Sequence, residues 1–213
     1  MREIKAWFSG EQALDEMRSD DRLKCWELEV ANTLQHGASI LNIGCGTGRE
    51  AFALHKIGFR VTGIDISEPA IEAARKFVTA QQLDIDFLLT DGESLPFRDG
   101  AFDVVIVWAQ TFGLFHGKPA QQQLLAQCRR VLKPGGLLSF SAHDYEYQQA
   151  HCAAFLKDRR FYPFADSDVF YESFTMDEMR GTAQQAGFQV LFCRRGNVYT
   201  EGDGTVLHCL CAS

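Results

Sequence analysis

No apolar run in this sequence approaches the ~18 residues that a membrane-crossing helix requires. The opening residues, MREIKAWFSG, carry charges at positions 2, 3 and 5 and no apolar centre, so neither a signal peptide nor a membrane anchor is expected. A basic excess is also missing: 21 Lys and Arg stand against 28 Asp and Glu, a formal net charge of −7. A nucleic-acid face needs many cations to neutralise phosphates, so no nucleic-acid partner is expected. One small basic patch remains, at Lys157, Arg159 and Arg160. The seven cysteines are odd in number, and none forms a C-x-x-C pair or a Cys/His cluster with zinc spacing. No metal site is expected, and the thiols read as reduced, in a cytoplasmic protein. Internal repeats and low-complexity stretches are absent.

What is present is a globular composition, with 17 phenylalanines in 213 residues, enough for one domain with its own core. Residues 1–37 have a helical period through Leu14, Met17, Leu23, Trp26, Val30 and Leu34, with Gly37 placed to end the last helix. Strands and helices then alternate. Short apolar runs at 39–43, 59–64, 86–89, 102–108 and 137–142 read as strands. Between them lie helices at 50–57, from Pro69 onward, and at 121–132, the last broken by Pro134, Gly135 and Gly136. Continuous apolar strands separated by helices point to a parallel sheet covered on both faces. The stretch 144–174 breaks the rhythm and is rich in Tyr and Phe. Thr175, with Glu178 three residues on, then opens a helix over 177–186. Strands at 188–193 and 205–211 flank a turn at 201–204; joined without a helix, they should run antiparallel.

The densest signal is ILNIGCGTGRE, residues 40–50, a strand, a glycine turn and a helix start. Gly44, Gly46 and Gly48 remove Cβ atoms from the turn, so the backbone can take positive φ and approach a ligand. In open α/β sheets ligands dock at the carboxyl ends of the strands. Asp65 ends the second strand, 21 residues after Gly44, where a carboxylate can accept both hydroxyls of a ribose. Asp91 and Gly92, after the third strand in LLTDGESLPF, can reach an adenine amino group. Each signal has a plain alternative: a tight strand–helix turn, an acid capping the helix at Pro69, a turn Asp. The LKPGG segment is architectural, an abrupt connection into the fifth strand.

Five such segments in this order resemble the class I S-adenosylmethionine-dependent methyltransferases. The likeness is firm over 38–143 and looser over the final hairpin. It implies a doubly wound, Rossmann-like α/β sheet of seven strands, order 3-2-1-4-5-7-6, with strand 7 antiparallel and helices on both faces. It divides the chain into a helical cover (1–37), a cofactor-binding core (38–143), a substrate-cover insertion (144–174) and a last helix with the hairpin (175–213). The implied cofactor is S-adenosyl-L-methionine, leaving as S-adenosyl-L-homocysteine. Gly44, Cys45, Gly46 and Gly48 would admit its methionine part, Asp65 and Ile66 its ribose, Asp91, Gly92 and Glu93 its adenine, and the Trp108 backbone its amino group. Asn42 stands where the family often has an acid, which shifts recognition of the ammonium towards backbone carbonyls. An NAD-binding loop would carry its third glycine one residue later, where this chain has Arg49.

Methyl transfer needs alignment and exclusion of water, and a base only when the nucleophile arrives protonated. His143 and Tyr145, just after the fifth strand, are the expected catalytic candidates, since an ordinary imidazole pKa near 6.5 suits proton removal; a histidine that only bonds backbone is the plainer alternative, as it is for His116. Tyr145 and Tyr147 could line an acceptor pocket, and Arg159 and Arg160 could hold an acidic acceptor or lie on a solvated face. Trp7 and Phe8 suggest a flap over the cofactor. The expected acceptor is a small molecule receiving the methyl on O, N or C. An NAD-dependent oxidoreductase and a catalytically silent S-adenosylmethionine-binding module are the rival readings.

Overall fold

The computed structural model describes residues 2–11, 14, 22–90, 92, 94–158, 160–163, 168–197 and 205–213. Five parallel strands form the centre: β1 (Ser39–Ile43), β2 (Arg60–Asp65), β3 (Asp86–Leu89), β4 (Phe102–Val107) and β5 (Leu132–Asp144). The hairpin β8 (Gln189–Asn197) and β9 (Thr205–Ala212) completes the order β3-β2-β1-β4-β5-β9-β8, with β9 antiparallel to β5. Alternation along the strands decides the two cores. Leu41, Ile43, Val105, Val107, Leu138 and Phe140 pack on one face, against α5 (Gly117–Val131) and α7 (Met176–Gln185). Ile40, Val104, Ile106 and Trp108 pack on the other, against α2 (Cys25–Ala31), α3 (Arg49–Lys56) and α4 (Glu68–Gln81). Both faces are covered, which is why these strands read as unbroken apolar runs.

Several boundaries differ from the sequence reading. Helix α5 starts four residues early, because Pro119 lies in its first turn, where no N–H is needed. Strand β5 starts directly at Leu132: Leu132 pairs with Phe102, the Pro134–Gly135–Gly136 segment bulges out, and regular pairing resumes at Leu137 with Val104. Gly37 does not end α2, which stops at Ala31; it turns the chain into β1 with a φ of +75°. The cover stretch is more ordered than its composition suggests. It holds α6 (Tyr145–His151), a short 3-10 turn, and an antiparallel pair, β6 (Phe161–Pro163) and β7 (Phe170–Phe174). That pair makes nine strands among the described residues rather than seven. His143 pairs with Ser173 of β7 and with Val206 of β9, so β7 occupies the edge of β5 that β4 has left. The expectation of reduced thiols is corrected at one place: Cys193 and Cys209 face each other across β8 and β9 and form a disulfide. No helix among the described residues is long and apolar enough to cross a membrane.

Candidate functional site

The carboxyl ends of β1, β2 and β4 open into a cavity of about 780 Å³. Its floor is the glycine turn. Gly44 and Gly46 line it with φ of +72° and +52°. A Cβ on Gly44 would lie 2.5 Å from Thr111 Cγ2, so the loop and the segment after β4 approach too closely for any side chain between them. Gly48 has a different role. It does not line the cavity; a Cβ there would lie 2.7 Å from Phe52 and 2.9 Å from Phe87, so its bareness serves helix–strand packing. Asp65 ties the turn to β2: its carboxylate accepts from Gly46 N at 2.8 Å and from Ser67 N at 2.9 Å. Burial raises its pKa, against the pull of the Ser67, Gly46 and Ile66 N–H groups. A carboxylate so engaged keeps acceptor capacity for a further donor.

Four charges from distant parts of the chain meet beside the loop. Arg49 makes a forked contact with Glu27, Nη1 to Oε2 at 2.7 Å and Nη2 to Oε1 at 2.8 Å, and reaches Glu50 at 2.5 Å. Glu27 is fully buried and also accepts from Lys24 N at 2.9 Å. Lys24, Arg49 and Glu50 line the cavity. Burial lowers the Lys24 pKa and raises that of Glu50. A formally neutral cluster therefore sits where α3 begins. At position 49, where an NAD-binding loop would carry its third glycine, the guanidinium turns to Glu27.

The far end of the cavity is aromatic. The His143 ring lies between Tyr162 and Tyr171, centroids 5.1 and 5.2 Å away. Gln148 Nε2 is 3.3 Å from its Nδ1. Burial, and then the Lys24 charge, push His143 down to about 4, well below the ordinary value used in the sequence reading, so the ring is neutral at pH 7. His116 donates from Nε2 to Phe170 O at 2.7 Å and buttresses the β6–β7 hairpin. Glu172 locks the same hairpin by accepting from Gly117 N and Gln121 Nε2, each at 2.9 Å.

Among the expected site residues, Gly44, Cys45, Gly46, Asp65, Ile66, Gly92 and His143 line this one cavity. Asp91 and Glu93 lie outside the described residues, as does Arg159. Next to Trp108, whose backbone was the expected contact, Ala109 and Gln110 line the wall at positive φ, while the Trp108 indole turns away, donating to Ser139 Oγ at 2.8 Å and packing on Trp26. Two expectations are corrected. Asn42 points into the core and its Nδ2 finds no partner among the described residues. Tyr145 stays outside, beneath the Arg160 guanidinium, and Tyr162 and Tyr171 take the place beside His143. Arg160 itself is spent on Glu178 and on Ser173 O. Of the proposed flap, Phe8 lines the cavity with Ile4 from α1 (Arg2–Phe8), and Trp7 stacks edge-on against Phe8. Lys24, Glu27, Thr111, Gln148, Tyr162 and Tyr171 carried no local pattern by which to find them. Among the described residues no cluster of three or more His, Cys, Asp or Glu is placed to hold a metal ion.

A glycine-floored cavity at the strand ends, an acid on β2 and a sheet of this order define a class of nucleoside-binding transferases. Residues 40–136 match the family model described as a methyltransferase domain. A putative methyltransferase, YqeM, of Bacillus subtilis is 33% identical over 130 residues, covering 61% of this chain and 52% of its own. A ubiquinone biosynthesis O-methyltransferase of Coxiella burnetii is 37% identical over 127 residues, 60% of this chain and 51% of its own. The chain thus spans about half the length of these curated relatives. A solved S-adenosylmethionine-dependent methyltransferase from Methanosarcina mazei superposes with a TM-score of 0.76 at 22% identity, covering 90% of this chain and 99% of that one. Residues 40–136 thus form a methyltransferase domain, and the chain has the fold of the class I S-adenosylmethionine-dependent methyltransferases.

The residues present suit that cofactor. The bare Gly44 and Gly46 backbone lies next to Asp65, which retains acceptor capacity for ribose hydroxyls. Glu50 stands in the first turn of α3, where a dinucleotide would place its pyrophosphate, and a carboxylate there opposes a phosphate. The cavity volume falls within the range of sites that enclose a small ligand, roughly 300–1,000 Å³.

Proposed function

We propose that the protein moves the methyl group of S-adenosylmethionine to an O, N or C nucleophile of a small, partly aromatic acceptor, in the cytoplasm and without a nucleic-acid or membrane partner. The observation that carries this reading is the continuity of one cavity from Gly44 and Asp65 to a second space walled by His143, Tyr162 and Tyr171. A silent binding module would have that second space filled by side chains. The acidic balance of the chain supports a small acceptor over a nucleic acid.

When bound, the cofactor supplies a methyl on a sulfonium, whose leaving group needs no protonation. The protein's own work is placement. Gly44 and Gly46 let the methionine part lie against backbone, and Asp65 holds the ribose. Ile4 and Phe8 of α1 close the cavity from above and exclude water, while Tyr162 and Tyr171 orient a flat acceptor. His143, neutral at pH 7, accepts a proton at its ring from the attacking nucleophile.

Calorimetric titration with S-adenosylhomocysteine, NAD⁺ and NADP⁺ in parallel tests the cofactor half; tighter binding of a dinucleotide would overturn it. Asp65→Ala is expected to weaken S-adenosylhomocysteine binding about tenfold or more, through loss of a charge-assisted hydrogen bond. Equal affinity in a folded variant would remove Asp65 from the site. For the acceptor half, methyl transfer is assayed on phenols, nitrogen heterocycles and RNA; turnover on RNA alone defeats the small-molecule reading. His143→Gln is expected to lower kcat about a hundredfold and leave S-adenosylhomocysteine affinity unchanged. Because His143 stays neutral above about pH 5, its titration should leave no step in kcat between pH 6 and 8.

A further inference from the structure

Gln148 is a buried polar side chain on α6, 5% exposed, and its amide carbonyl Oε1 makes no hydrogen bond among the described residues. The other end of that amide lies 3.3 Å from His143 Nδ1. Its helix cannot drift. The fully buried Asp144 caps it by accepting from Glu146 N at 3.1 Å, and Asp144 is itself held by Arg195 Nε at 2.5 Å and Thr205 Oγ1 at 3.2 Å. The imidazole is fixed as firmly, between two tyrosine rings. With Nδ1 facing Gln148, the rest of the ring is what His143 presents to the cavity it lines.

Which nitrogen of a neutral histidine carries the proton is set by the partner of the other. An amide N–H on Nδ1 would leave a donor, Nε2–H, facing the cavity. The carbonyl on Nδ1–H leaves a lone pair there. The two ends of an amide are nearly isosteric, and a half-turn about its last bond exchanges them. As placed, the amide nitrogen faces Nδ1; the half-turn brings the partnerless Oε1 there instead. We propose that Gln148 is the positioning residue for His143: its carbonyl accepts from Nδ1–H and keeps the Nε2 lone pair aimed at the acceptor.

The proposal rests on the methyl-transfer reading only for what that lone pair acts on. In the step, the nucleophile's proton passes to Nε2 as its electron pair takes the methyl, and Nδ1–H remains on the glutamine carbonyl throughout. The other groups facing the ring are the Lys24 ammonium, ahead of α2, and the hydroxyl-bearing rings of Tyr162 and Tyr171 on β6 and β7. Asp144, the next residue in β5, engages Arg195, and Glu146 does the same. A neutral amide beside Nδ1, with Lys24 close by, keeps the ring uncharged between turnovers. That arrangement suits an acceptor whose proton leaves as the methyl arrives, such as a phenol or a heterocyclic N–H.

Long-range ¹H–¹⁵N spectra of the full-length protein at pH 7 read the tautomer directly. The expected result is a protonated, pyrrole-type Nδ1 and a pyridine-type Nε2 in His143. Gln148→Glu places a carboxylate on Nδ1–H and should raise the His143 titration midpoint by about one unit or more. Gln148→Leu, similar in volume, should release the ring to a mixture of tautomers. S-adenosylhomocysteine binding on each variant reports whether the site is intact. An Nε2–H tautomer in the wild type, or an unmoved midpoint in a Gln148→Glu protein that still binds S-adenosylhomocysteine, overturns the assignment. If the wild type fails to bind S-adenosylhomocysteine, the methyltransferase reading falls, while the ring spectra still decide the Gln148 contact.

Discussion

Gly44→Ala is expected to lower S-adenosylhomocysteine affinity about a thousandfold. Two costs combine. A non-glycine residue at a φ of +72° costs about 1–2 kcal/mol. The new methyl would lie 2.5 Å from Thr111 Cγ2 and 2.8 Å from its Oγ1, and overpacking of that kind typically costs about 1–3 kcal/mol. The overlap can be relieved only by parting the glycine turn from the segment after β4, and these are two facing walls of the cavity. The cost therefore falls on ligand geometry as well as on the fold. Calorimetry on Gly44→Ala and on the double variant Gly44→Ala/Thr111→Gly separates the parts: removing the threonine side chain should restore most of the affinity and leave only the backbone share. A Gly44→Ala protein that binds as the wild type does would mean that the turn is not the floor of the site.

Glu27→Gln is expected to reduce stability by about 3–5 kcal/mol, because it strips the charge from a fully buried acid and leaves Lys24 and Arg49 with Glu50 alone. Arg49 loses the acid that receives both arms of its guanidinium, with a side chain only 12% exposed. At about 2–4 °C per kcal/mol for a chain of this size, the melting midpoint should fall by about 10 °C. The companion test is Glu27→Leu with Arg49→Met. Removing both charges leaves Lys24 and Glu50 to balance each other, and the midpoint should return close to that of the wild type. A small loss in Glu27→Gln would show that water reaches the cluster and screens it.

The parts legible in the sequence are those whose physics is local. Strand β4 reads as FDVVIV because both of its faces are buried. The turn reads from three glycines because each sits at a positive φ. Thr175 and Glu178 announce α7 because a capping box closes within four residues. What stayed hidden depends on contacts made through space. Glu27 and Arg49 are 22 positions apart, and no spacing rule joins them. Strand β7 touches β5 at only two positions and carries no period of its own, so its aromatic residues read as cover. Tyr145 and Tyr162 could not be told apart by composition; the helix that begins at Tyr145 carries that ring away from the cavity, and the hairpin brings the other one in. Ala109 and Gln110 line the cavity through a left-handed conformation that non-glycine residues rarely adopt and no sequence rule anticipates.

The buried Ser67 does more than cap α4: its hydroxyl also donates to the carbonyl of Phe8 at 2.8 Å. One hydrogen bond thus latches the first helix to the strand end that carries Asp65, with Ile4 and Phe8 shut down over the cavity. For the proposed cofactor, entry and exit would then pass through the opening of that latch, and Ser67→Ala is expected to speed release of S-adenosylhomocysteine in stopped-flow measurements.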